Sequence, residues 1–235
     1  MFINNINPIN YKKVSSPSNK YTSWVSFSAQ GDVFCHSADK LPDIKNIPNI
    51  HFLPNNSLRG ESLSSPRNRR FLPSIRQYGI ENVLDLRNSS TSDKYPKLCE
   101  DNGLNYYYFP VDSFSVPDDK IIKNMPRMFE LMNKGKYYIA CALGLHRTDI
   151  AISLNYIFNP KEQAEIPVLW GHERDFGLKV DDISRRLHSV KNKIKDEDLK
   201  DIGWQDRETF ENEFESRKSQ LYDFNRKYIS KKDTK

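Results

Sequence analysis

The stretch KYYIACALGLHRTDIAISLNYIF (136–158) decides the fold. Its opening run, KYYIA (136–140), is apolar and short, which is typical of a buried strand. The segment RTDIAISLNYIF (147–158) is expected to be a helix that stops at Asn159-Pro160, because proline cannot continue a helix. Between strand and helix lies a loop of the form C-x5-R, from Cys141 to Arg147. An ordinary strand-to-helix turn needs a glycine or a helix cap, but it does not need a thiol. The cysteine therefore indicates that the loop has a chemical function.

The loop has the composition of an oxyanion cradle. Backbone N–H groups of a tight loop and of a helix N-terminus favour negative charge at one place. Gly144 permits a turn that a side chain would obstruct, and the planar fork of Arg147 is suited to two phosphate oxygens. The same positive field favours the thiolate form of Cys141 and makes it a candidate nucleophile. Thr148 is predicted to donate a hydrogen bond to the sulfur and help it leave.

The elements upstream predict an α/β fold with a central, mostly parallel sheet. Helices are expected over 68–80, with Gly79 as C-cap, and over 95–104 and 115–135. Strands are expected over 81–87, 105–111 and 136–140, and alternation of strands with helices is the signature of a parallel sheet. A short strand and a turn are expected within 50–62. Pro126 implies either a kink in the third helix or two shorter helices.

Asp112 follows the predicted strand 105–111 and is the candidate general acid. Parallel neighbouring strands end at the same edge of a sheet, so Asp112 and Cys141 are expected to converge there. An ordinary turn aspartate is the alternative. Asp118 and Asp119 are weaker candidates, because carboxylates at a helix start also serve to complement the helix dipole.

The flanking regions differ from this pattern. Residues 1–45 are expected to form an N-terminal arm, partly irregular, with a strand within 21–29. Residues 46–160 would form the catalytic domain, and 161–235 a helical extension packed on it. Within that extension an apolar stripe at helical spacing is predicted to dock on the sheet domain rather than on a partner; its members are Phe210, Phe214, Leu221, Phe224 and Tyr228.

Composition sets outer limits. The chain has 235 residues, 29% of them charged, and a formal net charge of +5, with no apolar run near the roughly 18 residues of a membrane span. The three cysteines form no close pair, which predicts a reducing, cytoplasmic location, although an exported effector would look the same. No zinc-ligand spacing is present. The basic clusters 65–70 and 184–195 are expected to be solvated surface rather than a nucleic-acid site.

The sequence resembles the cysteine-dependent protein tyrosine phosphatase superfamily, and within it the compact, atypical dual-specificity phosphatases. The resemblance covers roughly 50–160 and rests on SLRGESL (57–63), YGIENVLDLR (78–87), Asp112 and CALGLHRTD (141–149). It implies that Cys141 attacks phosphorus, that Asp112 is general acid and then base, and that Thr148 assists breakdown of the intermediate. It further implies phosphate binding by Arg147 and by the amides of a run of loop residues: Ala142, Leu143, Gly144, Leu145, His146 and Arg147. It implies no metal or organic cofactor.

Two positions depart from the family pattern. Ala140 stands where a histidine is usual, and Asp149 stands where glycine or alanine is usual and is expected to add a negative charge near the cradle. These departures keep open a second hypothesis, a phosphatase-fold module that binds phosphorylated ligands without turnover. A rhodanese-type sulfurtransferase is a third hypothesis, but that chemistry needs no general acid. The expected substrate is a phosphotyrosine or phosphoserine/threonine protein, with an inositol (pyro)phosphate as the alternative, because Ala142, Leu143 and Leu145 are apolar.

Overall fold

A computed structural model describes residues 12–14, 23–25, 44–88, 94–111, 116–161, 165–170 and 176–230. The strands are β1 (Lys12–Val14), β2 (Ser23–Val25), β3 (His51–Leu53), β4 (Ser57–Glu61), β5 (Asn82–Asp85), β6 (Asn105–Tyr108) and β7 (Tyr137–Cys141). The α-helices are α1 (Leu72–Tyr78), α2 (Lys94–Asp101), α3 (Asp118–Lys134), α4 (His146–Phe158), α5 (Phe176–Lys193), α6 (Asp196–Asp201) and α7 (Arg207–Ser230). Short 3-10 turns lie at Ile44–Asn46 and Arg69–Phe71.

The main sheet has five strands in the order β3-β4-β7-β5-β6. Strands β4, β7, β5 and β6 are parallel, and only the edge strand β3 runs antiparallel, to β4. The predicted α/β fold with a mostly parallel sheet is therefore confirmed. Strands β1 and β2 form a separate antiparallel pair.

Each face of the sheet is covered by its own apolar cluster. On one face, α1 and α2 pack on β4, β5 and β7 through residues such as Ile75, Cys99 and Tyr138. On the other face, α3 and α4 pack on the sheet, and α5, α6 and α7 join the same cluster. As a result α4 is enclosed, and every residue from Thr148 to Phe158 is buried. Phe210, Phe214 and Leu221 of the predicted stripe are fully buried in this cluster.

Two sequence expectations need correction, and one of the two alternatives at Pro126 is excluded. The segment 50–62 holds a two-stranded hairpin, not one strand and a turn, because β3 pairs with β4. At Pro126 the alternative of two shorter helices is excluded, since one helix spans Asp118–Lys134, with flanking residues such as Met125 and Phe129 buried in the core. The basic cluster 184–195 is not all solvated surface, since Arg186 is buried and ion-paired.

Candidate active site

Cys141 is the last residue of β7, the central strand of the sheet, and it is buried. Its register partner is Glu61 at the end of β4, and Asp85 ends β5 on the other side next to Ala140. The thiol thus lies at the carboxyl edge of the parallel strands, where ligand sites of α/β proteins are found. The backbone N–H of Cys141 donates to Oγ1 of Thr148, at 3.2 Å, so the hydroxyl lies beside the cysteine.

The turn after Cys141 depends on Gly144. Its φ is +68°, in the left-handed region, and a Cβ there would lie 2.1 Å from the carbonyl carbon and oxygen of Gly60. Gly60 in turn has no room for a side chain, because its Cβ would meet the hydroxyl of Tyr138 at 2.5 Å. The loop therefore rests directly on the backbone of β4, which only glycine at both positions allows.

Every carbonyl of the loop from Cys141 to Leu145 is held by a donor outside the loop. The N–H of Ser62 donates to the carbonyls of Cys141 and Ala142, at 3.0 and 3.4 Å. Nδ2 of Asn49 donates to the carbonyl of Leu143, at 2.9 Å. The remaining two carbonyls are bound by Nη2 of Arg59, at 2.8 Å for Gly144 and 3.2 Å for Leu145.

This arrangement determines where the loop amides point. In a trans peptide unit the C=O and the following N–H point in opposite directions, and the described chain has no cis peptide bond. With the carbonyls turned toward β4 and its neighbours, the N–H groups of 142–146 face the opposite, inner side of the loop. The amides of Ala142 to Leu145 donate to no other residue in the described part of the chain. They are therefore available to an anion.

Arg59 is the residue that the sequence analysis missed. Besides the two carbonyls, its Nη1 lies 2.6 Å from Oδ1 of Asp149, and both side chains have 0% exposure. The expected negative charge of Asp149 beside the cradle is thus present but offset by a buried partner. The available signal is that Arg59 and Asp149 are charged residues in elements whose neighbouring residues are buried, a strand and a helix.

The other predicted loop residues line the front of the turn. Ala142, Leu143 and His146 are exposed, with Leu143 at 54%, while Leu145 and Arg147 are half-buried. Arg147 is the second residue of α4 and forms no ion pair with any residue that the structure describes. Its guanidinium is therefore not neutralised by a described carboxylate.

Asp112 lies outside the described residues. Of the weaker acid candidates, Asp119 is exposed, whereas Asp118 is buried and contacts Arg186 and Lys193, each at 2.8 Å. Burial raises the pKa of Asp118, but hydrogen bonds from Lys193 and Ser189 and the nearby positive charges outweigh it, so its pKa is lowered. A carboxylate held ionised in this way is a poor proton donor.

The remaining thiols and possible ligands are easily placed. Burial raises the pKa of Cys99 to about 12, so this second buried thiol is unreactive near neutral pH, and Cys35 lies outside the described residues. Among the described side chains, no three His, Cys, Asp or Glu are grouped to hold a metal ion. None of the described helices is both long and apolar enough to cross a bilayer.

Comparison with known proteins gives structural likeness only. No family model matches the chain, and no curated protein matches it in sequence. Similar solved structures include a candidate phosphatase from Shewanella putrefaciens, with 15% identity, a TM-score of 0.49, and coverage of 67% of this chain and 96% of that one. TpbA from P. aeruginosa has 13% identity and a TM-score of 0.44, covering 68% and 93%. The catalytic core of the S. cerevisiae PP-IP phosphatase SIW14 has 16% identity and a TM-score of 0.40, covering 71% and 91%.

Proposed function

We propose that the protein hydrolyses phosphate monoesters through a cysteinyl-phosphate intermediate at Cys141. The observation that carries the proposal is the set of loop carbonyls bound from outside the loop, since within the described part of the chain the amides of Ala142 to Leu145 have no acceptor. Such preorganised donors stabilise the charge that develops on phosphoryl oxygens in the transition state.

The proposed reaction has two steps. The Cys141 thiolate attacks phosphorus, the P–S bond forms, and the ester P–O bond breaks as Asp112 gives its proton to the leaving oxygen. Water then attacks phosphorus, Asp112 takes a proton from that water, and the P–S bond breaks to return the thiolate. Arg147 and the amides of 142–147 hold the equatorial oxygens in both steps. Thr148, whose Oγ1 lies beside Cys141, would stabilise the departing sulfur.

The front of the loop favours a phosphorylated protein as the substrate. Ala142 and the 54% exposed Leu143 give the cradle an apolar rim. An apolar rim suits the ring of a phosphotyrosine or the stem of a phosphoserine or phosphothreonine better than a ring crowded with phosphates. We therefore expect phosphotyrosine peptides to have a higher kcat/KM than inositol polyphosphates or pyrophosphates.

Hydrolysis of an aryl phosphate in the presence of EDTA tests the proposal. Cys141→Ser is expected to lower kcat by about 10³-fold or more, because a neutral hydroxyl replaces the thiolate. Cys99→Ser is the matched control, since Cys99 is a buried thiol whose pKa of about 12 keeps it protonated, and it should retain activity. Equal activity of parent and Cys141→Ser would contradict the thiol mechanism.

The acid role of Asp112 has its own test. Asp112→Asn is expected to lower kcat about 10²-fold, with a larger loss for alkyl than for aryl phosphates, because poor leaving groups need protonation most. Asp119→Asn is the control, since Asp119 is exposed at the start of α3. An equal loss in both variants would argue against Asp112.

A module that only binds phosphorylated ligands is the outcome to be excluded. Folded, reduced parent protein without turnover, but with Cys141 shielded from alkylation by inorganic phosphate, would favour binding alone. The ion pair with Arg59 weakens one argument for that alternative, because it offsets the charge of Asp149.

A further inference from the structure

A buried ion pair lies directly behind the candidate phosphate loop. Arg59 extends from the middle of β4, with one nitrogen 2.6 Å from Asp149 and another donating to the carbonyls of Gly144 and Leu145. We propose that Arg59 is a positioning residue that aims the loop amides at the phosphate, and that Asp149 is the partner that cancels its charge. This inference rests on the proposed function.

The shape of arginine explains why this residue type is suited to the task. The planar guanidinium presents several donors in a fixed fork, so one side chain binds two successive carbonyls and a carboxylate at once. Fixing the carbonyls of Gly144 and Leu145 fixes the opposed N–H groups of Leu145 and His146. A lysine would supply a point charge without this geometry.

Asp149 ties the same corner to the first turn of α4. Its own N–H donates to the carbonyl of Leu145, at 2.9 Å, so this carbonyl is bound by both members of the ion pair. A fully buried charge needs a partner to be tolerated. A buried arginine can therefore hold the loop only if a carboxylate lies nearby, which accounts for an aspartate in the buried part of α4.

The pair also controls the charge that the cradle experiences. Together the two side chains contribute no net charge, whereas either alone would add a charge in a region shielded from water. Removal of Arg59 leaves a negative charge behind the loop, and removal of the Asp149 charge leaves a positive one. The two single variants should therefore shift the ionisation of Cys141 in opposite directions, which a purely structural role would not do.

The test uses alkylation of Cys141 by iodoacetamide as a function of pH, in the full chain carrying Cys35→Ser and Cys99→Ser. Arg59→Met should move the midpoint of reactivity up by about one pH unit, and Asp149→Asn should move it down by a smaller amount. Arg186→Met, which removes a buried arginine of another ion pair, should leave the midpoint unchanged. The other charged groups that the structure describes at this edge are common to all variants; they include Glu61, Asp85, Arg87, His146 and Arg147.

A second measurement separates the effect of Arg59 on the orientation of the loop amides from its effect on the charge near Cys141. In the double variant Arg59→Met/Asp149→Leu the charges cancel again, so the midpoint should return toward that of the parent. The carbonyls of Gly144 and Leu145 stay unsupported, so kcat for an aryl phosphate should remain about 10²-fold low with a smaller change in KM. Protection of Cys141 by inorganic phosphate should weaken in parallel.

The outcomes distinguish this inference from the proposed function. Folded Arg59→Met and Asp149→Asn with the parent's midpoint and phosphate protection would overturn the inference while leaving the phosphatase proposal intact. If Arg59→Met does not fold, an unchanged midpoint in Asp149→Asn overturns it as well. Opposite shifts in a parent without turnover would support the positioning role and overturn only the proposed catalysis.

Discussion

Two buried arginines hold two different parts of the molecule, and their surroundings differ. Arg59 is enclosed between the sheet and α4, where it meets Asp149 and two loop carbonyls, and neither charged side chain is exposed. Arg186 on α5 reaches Asp118 at the start of α3 and donates to the carbonyl of Val116. Asp118 has further partners, because Ser189 donates to it and Lys193, which is half exposed, lies 2.8 Å away.

The two pairs differ in their exposure and in the partners that Asp118 keeps when its arginine is lost. Asp149 is paired with Arg59 at a place where neither side chain is exposed, so loss of Arg59 removes a cation that solvent cannot replace. Asp118 keeps Lys193 and Ser189 when Arg186 is removed, and Lys193 is half exposed. Loss of Arg59 should therefore destabilise the protein strongly, whereas loss of Arg186 should destabilise it only in part.

The largest expected effect is on stability at Arg59. Arg59→Met should lower the free energy of unfolding by about 3–5 kcal/mol, because it takes the Arg59 charge away from the fully buried Asp149 carboxylate. Arg186→Met should cost less, about 1–3 kcal/mol, because Asp118 retains two partners. Urea unfolding of both variants measures this. Equal losses would break the comparison, and recovery of most of the loss in Arg59→Met/Asp149→Leu would strengthen it.

A somewhat smaller effect is expected at Gly144, in front of the first pair. Gly144→Ala should destabilise by about 2–3 kcal/mol, from the left-handed φ and from the displacement of the Gly60 backbone that a Cβ would cause. Gly79→Ala is the matched control, because its φ is also positive but no atom lies within 4 Å of the added Cβ, and about 1 kcal/mol is expected. The excess measures how tightly the loop rests on β4. Equal losses of stability in Gly144→Ala and Gly79→Ala would mean that β4 moves to accommodate the added Cβ.

The smallest effect is a pH dependence at the second pair. The pKa of Asp118 is lowered in the folded protein, so its stabilising contribution is complete above the unfolded value of about 4 and is lost as pH falls through the folded value. Asp118→Asn should therefore be less stable than the parent at pH 7, by about 2 kcal/mol, and the difference should shrink by pH 3. Thermal unfolding at the two pH values gives the answer. A difference that grows on acidification would contradict the sign.

The sequence allowed prediction of those features that depend on local pattern. The alternation of β5, α2, β6, α3, β7 and α4 follows from short apolar runs and helical spacing, and Gly79 ends α1 with φ +106° as predicted. The C-x5-R loop was likewise visible as a contiguous motif.

The missed features depend on contacts between distant segments. Arg59 and Asp149 lie in different elements, and their pairing exists only once β4 is next to β7 and α4 covers that face. The sequence left open whether one helix or two would contain Pro126, and the single helix depends on core packing around Met125 and Phe129, which outweighs the local cost of a proline, about 3 kcal/mol. Such outcomes are set by tertiary structure, and no local rule contains them.

The enclosure of α4 has a consequence for synthesis of the protein. The helix that follows the cysteine loop is covered on its outer side by α7, through contacts such as Phe158 with Phe210 and Phe214. During synthesis α4 leaves the ribosome before α7, because chains grow from the N-terminus at about 5–20 residues per second. Its buried surface is therefore exposed until α7 emerges. We expect nascent chains stalled before Arg207 to be cleaved by protease within α4, and chains stalled well beyond Ser230 to resist. The cysteine loop would thus reach its final surroundings only after α7 has been synthesised.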